Sequence, residues 1–386
     1  MEATIFVSGM FHLPLVCQAL GQNGLSSVVH SSYPSFKLRQ RLPRGVHTHS
    51  HPGKEMLSRL PGFFFKDKPL ALSRAFQHDI RKAVNRLETD IVIGWAGHSE
   101  HLVKTCNIKN IPVILERGST HIAWQRECLL KAYDAAGMKP NMRLVPSQVY
   151  IENEMAEYEN ASAIHVPSEF CAKSFEPFAD TGVLEKIRIT RYGFSIPKLA
   201  AADQYHHPGE RLQIGFAGTL SVRKGFFDFC WLAANTDHRK AIFESVGHQD
   251  NDTKAILQMY QPPFTPHPSV PKEALFEVLA RWDIMILPSY EEGLSMIIPE
   301  AMSQNTVVIA SDVSGASEYI KHGVNGFIFE HGNRQQLTDI IDRLISEPEM
   351  IVDIQQALNE NNPKIDHKAI YFRQYGETLM ELLKNR

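Results

Sequence analysis

The feature that most constrains this chain is an alternation. Short apolar runs of strand length are separated by amphipathic stretches in both halves, the pattern of βαβ units wound around parallel sheets. In the first half the runs are Thr4–Ser8, Ser27–His30, Ile91–Trp95, Val113–Glu116, Ala163–Pro167 and Ile187–Tyr192. In the second they are Leu212–Ala217, Ile242–Val246, Ile284–Pro288, Val307–Ala310 and Gly326–Phe329. Helical stretches such as Lys272–Arg281 and Gln335–Ile345 lie between them. The alternation breaks at Pro197–Glu210, where Ala, His, Pro and Gly interrupt it. A chain of 386 residues is too long for one ordinary core. The break therefore predicts two domains, 1–197 and 210–366. Near the end, Ile370, Phe372, Tyr375, Leu379, Leu382 and Leu383 share one helical face behind Asp366, a predicted cap.

Composition narrows the function classes. A net charge of −3 argues against bulk affinity for nucleic acid. The five cysteines lie far apart with no CxxC, which fits neither a disulfide framework nor a zinc site and suits a reducing compartment. The first residues read as a strand with no basic leader, and no apolar run reaches the length of a membrane span. A cytoplasmic protein is expected, at most peripheral on the inner membrane face. One segment departs from the average. Lys37 to Lys82 holds 11 Lys/Arg against 3 Asp/Glu, with Phe63, Phe64 and Phe65 among them. It reads either as a solvated face over a buried aromatic cluster or as a patch for anionic lipid headgroups or a phosphorylated acceptor. His47, His49 and His51 alternate nearby, but a flexible loop without carboxylates is a poor metal site.

The chemistry concentrates between Ile284 and Phe329. A strand ends at Pro288-Ser289, a loop carries Glu291-Glu292-Gly293-Leu294-Ser295, and a helix follows with Glu300-Ala301-Met302. In open α/β sheets ligands bind beyond the carboxyl ends of strands, where loops feed helix N-termini. Gly293 lets backbone approach a ligand. Upstream, Gly218-Thr219-Leu-Ser-Val-Arg223-Lys224-Gly225 follows another strand and sets two adjacent cations on a glycine-framed loop. Near the N-terminus, Ser8-Gly9-Met10-Phe11-His12 carries a single glycine after the first strand. In the first half, His121 lies just past the strand Val113–Glu116, and His98 and His101 follow Ile91–Trp95.

The ordered series Pro-Ser, Glu-Gly, Glu-Ala-Met, Ser314-Gly-x-x-Glu318 and Gly323-x-x-Gly326 resembles the C-terminal domain of glycosyltransferase family 4, with Lys224 at that family's lysine. The resemblance is strong over about Gly215–Phe329, loose over Ile91–Ser195 and weak before that. It implies a GT-B architecture, two Rossmann-like α/β domains with parallel sheets facing across a cleft. The final helix, 367–386, would return to pack on the N-terminal, acceptor-side domain. It further implies retaining transfer of a sugar from a nucleotide-sugar donor to a carbohydrate, lipid-linked or small-molecule acceptor, with no metal and no other cofactor.

On that resemblance Glu300 would hold the ribose hydroxyls, and Glu292 the sugar and its developing positive charge. Arg223, Lys224 and the N–H groups at Gly293, Leu294 and Ser295 would hold diphosphate and sugar, with Gly9 and Gly218 giving close backbone approach. His121 would orient the sugar or serve the acceptor. Two positions depart from the family: Thr219 stands where an Arg is usual, and Ser295 replaces a glycine. Asp250-Asn251-Asp252 matches the metal motif of the other main glycosyltransferase fold, but it lies in a polar run that reads as a loop. The rival readings are an epimerase or phosphorylase on the same fold and a non-catalytic sugar-nucleotide binder.

Overall fold

The computed structural model describes residues 1–61, 64–194, 210–361 and 366–384. It divides into two compact units. The first comprises Met1–Arg126, Asn141–Phe194 and Asp366–Arg386; the second comprises Glu127–Pro140 and Ser195–Ile365. Most of the expected linker, 197–210, lies outside the described residues. The stretch Glu127–Pro140 groups with the second unit, where the sequence reading assigned all of 1–197 to the first.

The first unit is built on seven parallel strands, β1 (Glu2–Val7), β2 (Ser26–Ser31), β3 (His47–Ser50), β4 (Ile91–Trp95), β5 (Val113–Glu116), β6 (Ala163–Val166) and β7 (Ile187–Ile189), in the order β3-β2-β1-β4-β5-β6-β7. β4, β5 and β6 are buried at every residue, as expected of parallel strands covered by helices on both faces. The unexpected member is β3, where the sequence suggested a flexible histidine loop. It pairs with β2 in the register His30↔His49. As an edge strand it is mostly exposed, so no apolar alternation betrays it. Its histidines stack instead of diverging: the His30 ring lies 4.7 Å from His49 and 5.2 Å from His51.

The second unit holds β8 (Leu212–Ala217), β9 (Ala241–Val246), β10 (Ile284–Leu287), β11 (Val307–Ser311) and β12 (Phe327–Phe329), all parallel in the order β12-β11-β10-β8-β9. Chain order reverses direction between β1 and β4 in one sheet and between β8 and β10 in the other. These are the two topological switch points, where loops leave in opposite directions and open a crevice.

The last helix, His367–Lys384, begins with the Asp366 carboxylate accepting the Ala369 N–H at 2.9 Å. Tyr371, Tyr375 and Leu379 are buried from its inner face with Ile5, Val7, Leu13 and Leu20 of the first unit. All five cysteines are free and buried. Among the described residues no helix is long and apolar enough to cross a membrane. In the basic segment, Phe64 is 64% exposed, so the aromatic run does not form a wholly buried cluster there; Phe63 lies outside the described residues.

Candidate functional site

The switch point between β8 and β10 brings the two chemistry-bearing loops together. Gly218 leaves β8 with φ of +140°, a conformation side chains rarely adopt, and a β-carbon there would meet open space. At the far end of the loop Gly225 is left-handed (φ +66°) and a β-carbon on it would run into the Pro288 carbonyl oxygen. Glycine at 225 therefore permits a backbone-to-backbone contact between the loops. The contact is extended by the Tyr290 N–H, which donates to the Arg223 carbonyl at 2.9 Å.

Each cation of the first loop meets a carboxylate of the second. Arg223 Nη1 donates to Glu291 Oε2 at 3.2 Å and to the Glu291 carbonyl at 3.1 Å, and stands 3.8 Å from Glu292 Oε2. Lys224 Nζ donates to the Glu292 carboxylate. Burial and the adjacent Arg223 cation push the Lys224 pKa down, while the Glu291 charge opposes that shift. Arg223 keeps 34% exposure, whereas Glu291 has none. Glu291 is a residue the sequence reading passed over. It is the neighbour of the motif glutamate, and only the fold shows that it, not Glu292, is the buried partner of the guanidinium.

Other expected residues are distributed differently. Glu300, on the short helix Ile297–Met302, pairs with Lys272 Nζ at 2.8 Å and does not join the Arg223–Lys224 group through any direct ion pair among the described residues. Thr219 supplies no charge; its carbonyl accepts the Ser221 N–H at 2.9 Å, and the cation beside Lys224 on this loop is Arg223. The Gly293–Ser295 backbone is covered from one side by Gly315 (φ +68°), where a β-carbon would stand 2.7 Å from the Gly293 carbonyl oxygen. The Ser295 N–H, expected to face a ligand, donates to the Ser314 carbonyl at 3.3 Å, and Ser295 is 3% exposed. Its added β-carbon is thus turned into the protein.

A second layer holds the loops from behind. Asp228 lies on the helix Phe226–Asn235 that follows Gly225, accepts from Tyr290 Oη at 3.0 Å and pairs with Arg334 Nε at 2.6 Å. Burial raises the Asp228 pKa, and the Arg334 hydrogen bond works against that rise. Arg334 also donates to Tyr260 Oη at 3.0 Å and lies over the rings of Phe227, Trp231 and Tyr260. No spacing in the sequence links positions 228, 290 and 334. Asp250, in the Asp-x-Asp run, accepts the N–H groups of Asp252 (3.0 Å) and Thr253 (3.1 Å), so it starts a helix.

In the first unit two expectations need correction. Gly9 does not leave open space for a diphosphate on its side-chain face, because the Phe11 ring occupies that face. His121 is fully buried. It stacks on Phe178 at 5.1 Å and touches Phe175 and Tyr158, and its Nδ1 accepts the Ala123 N–H at 3.2 Å. Burial, aided by Arg117, lowers its pKa to about 3, so it is a neutral core imidazole. Its place just past β5 resembled an active-site position because position along the chain says nothing of which way a ring turns.

The family model for glycosyl transferases group 1 matches residues 198–364. Among curated proteins, the chain is 26% identical over 212 residues to the amylovoran biosynthesis glycosyltransferase AmsK of Erwinia amylovora, covering 51% of each chain. It is 24% identical over 146 residues to a Campylobacter jejuni N,N'-diacetylbacillosaminyl-diphospho-undecaprenol alpha-1,3-N-acetylgalactosaminyltransferase, covering 38% of this chain and 39% of that one. The matches thus span about half the length of these curated relatives or less. Among solved structures, sucrose-phosphate synthase from Thermosynechococcus elongatus matches with a TM-score of 0.75 over 100% of both chains at 15% identity. HepE of Anabaena in complex with UDP matches at 0.67, with 16% identity over 99% of this chain and 100% of that one.

Proposed function

From the premise that this chain carries a glycosyl transferases group 1 domain on a GT-B fold, we propose that it transfers a sugar from a nucleotide-sugar donor to a hydroxyl-bearing glycan, lipid-linked or small-molecule acceptor. The reading includes retention of anomeric configuration, no metal at the diphosphate, and service in polysaccharide or glycoconjugate synthesis. One observation carries it: Arg223 and Lys224 stand side by side at the β8–β10 switch point, held by Glu291 and Glu292. Two adjacent cations on a glycine-framed loop are suited to a diphosphate, whose charge grows as the sugar departs. When a diphosphate arrives, each cation can exchange a carboxylate for phosphate oxygens, which frees Glu292 toward the sugar. Glu300, at 13% exposure and held by a 62% exposed Lys272, is available to ribose hydroxyls once that surface lysine swings away.

The setting proposed is cytoplasmic, with 37–82 touching an anionic membrane face. Exposed Phe36 and Phe64 beside exposed Lys37, Arg39, Arg41 and Lys66 support that contact. Flotation with anionic vesicles tests it; failure to float at low salt removes the membrane from the reading.

The deciding experiment is a screen of UDP-, GDP- and ADP-sugars for donor hydrolysis. The HepE structures hold UDP and, in one case, UDP with glucose, so UDP-glucose is tried first. Release of a nucleoside diphosphate from one donor class, in the presence of a chelator, is the expected result. Hydrolysis of none, with no binding of any nucleoside diphosphate, sinks the proposal.

A further inference from the structure

The loop 247–252 follows β9, the last strand of the second sheet, and carries the Asp-x-Asp run that the proposed donor chemistry does not use. It lies along the loop of Arg223 and Lys224. A β-carbon on Gly247 would run into the Gly218 carbonyl oxygen. The Leu220 N–H donates to the His248 carbonyl at 2.8 Å. Thr253 is fully buried; its hydroxyl oxygen accepts the Asp250 N–H at 2.8 Å and donates to the Leu220 carbonyl at 2.6 Å. Leu220 is thus held at both its N–H and its carbonyl, just upstream of Arg223.

The loop 247–252 has an anchor of its own. Tyr133 lies on the helix Ile122–Ala135, and its stretch, Glu127–Pro140, belongs to the second compact unit although it falls in the first half of the sequence. Its side chain is 2% exposed, and its hydroxyl donates to the Asp252 carboxylate. Asp252 caps the helix Thr253–Tyr260, yet its side chain takes no hydrogen bond from that helix. The same stretch approaches the second loop of the site. Burial, and after it the Glu291 charge, push the Cys128 thiol up to about 12. A buried hydroxyl given to a carboxylate is a strong and directional bond, because the acceptor is charged. Holding Asp252 holds its neighbour Thr253, and Thr253 holds Leu220.

We propose that Tyr133 and Asp252 are positioning residues of the donor site: their hydrogen bond clamps the loop 247–252, which holds the loop 218–225 where Arg223 and Lys224 meet a diphosphate. Preorganised cations stabilise a growing charge only if their backbone is already in place, and loops need such anchors more than strands do. Naming the diphosphate rests on the proposed function; the clamp itself does not. The Asp-x-Asp run then works through hydrogen bonds to its own backbone and to Tyr133.

The test compares the whole chain with Tyr133→Phe, which removes only the hydroxyl. Without nucleotide, hydrogen exchange over 218–225 should run about threefold or more faster in the variant, and exchange over β1 should not change. In titrations with UDP, GDP and ADP, each diphosphate that wild type binds should weaken about three- to tenfold. The matching nucleoside, which has no phosphate to meet the cations, should bind as before. Asp252→Ala should reproduce both effects, and Asp252→Asn should recover most of the loss through its remaining acceptor oxygen. Tyr133→Phe combined with Asp252→Ala should be no weaker than Asp252→Ala alone. If Tyr133→Phe fails to fold, the two Asp252 variants carry the comparison. Wild type that binds none of the diphosphates would sink the donor reading, and the exchange rates would still decide the clamp. Unchanged exchange over 218–225, faster exchange with unchanged diphosphate affinity, or an equal loss for diphosphate and nucleoside would each overturn the proposal.

Discussion

Gly225 and Pro288 meet backbone to backbone: the space a β-carbon on Gly225 would need is filled by the Pro288 carbonyl oxygen. This contact sets the distance between the loop of Arg223 and Lys224 and the loop of Glu291 and Glu292. Gly225→Ala adds a left-handed penalty to a backbone clash and should cost roughly 2–4 kcal/mol. Urea unfolding measures the loss. Nucleoside diphosphate affinity should fall with it, and a variant as stable as wild type would show that the loops are free to separate.

Removing the Arg223 guanidinium takes one cation from the fully buried Glu291. We expect Arg223→Ala to lose about 1–3 kcal/mol of stability, the low side reflecting the partial exposure of the arginine. Adding Glu291→Gln should return much of it, since the neutral amide needs no counter-charge. A double-mutant cycle on unfolding free energies decides the matter; additive losses would mean that the two side chains do not couple.

Glu300→Gln tests the ribose assignment. A lost charge-assisted hydrogen bond predicts about 1–3 kcal/mol weaker binding of the free nucleoside diphosphate. Lys272→Ala, which breaks a pair whose lysine is 62% exposed, should leave stability within about 0.5 kcal/mol. Calorimetric titration showing equal nucleotide affinity in Glu300→Gln would place Glu300 outside the donor site.

Three histidines of the first unit make it acid-sensitive. Burial lowers the pKa of His30, His98 and His121 to about 3 each, from an unfolded value near 6.5. Between those values the unfolded chain binds protons that the folded chain refuses. Stability is therefore full above about pH 6.5 and falls as pH drops toward 3, by up to about 1.4 kcal/mol per pH unit per histidine. The Tm between pH 7 and 4 reports this. His121→Phe, which keeps an aromatic among Phe175, Phe178 and Tyr158, should flatten part of the slope. An unchanged slope would mean that His121 takes up its proton in the folded state.

Tyr375→Phe removes one of the hydrogen bonds that satisfy the Glu116 carboxylate. It should cost about 1–2 kcal/mol and loosen the last helix from the first unit. Hydrogen exchange along His367–Lys384 would show the change; unaltered protection there would mean that apolar packing of Tyr371 and Leu379 alone secures the helix.

The sequence by itself determined the elements that local chemistry dictates. Short apolar runs of strand length marked nearly every strand. Asp366 announced its helix through a capping carboxylate, and the glycines at 225 and 315 sit where a β-carbon would run into backbone. Motif order also pointed to Arg223 and Lys224 on one loop, Glu292 on another and Glu300 on the helix after it. What only the tertiary structure decided is pairing across distance and the direction each side chain takes. Glu291 and not Glu292 is the buried partner of Arg223, His121 turns into an aromatic core, and Ser295 spends its N–H on Ser314. The strand at His47–Ser50 exists because β2 offers it a ladder, although its own residues carry no apolar pattern. Glu116 reaches His12 and Tyr375 from positions more than one hundred residues away. Such partners are chosen by packing, and packing is a property of the whole fold that no single stretch of sequence contains.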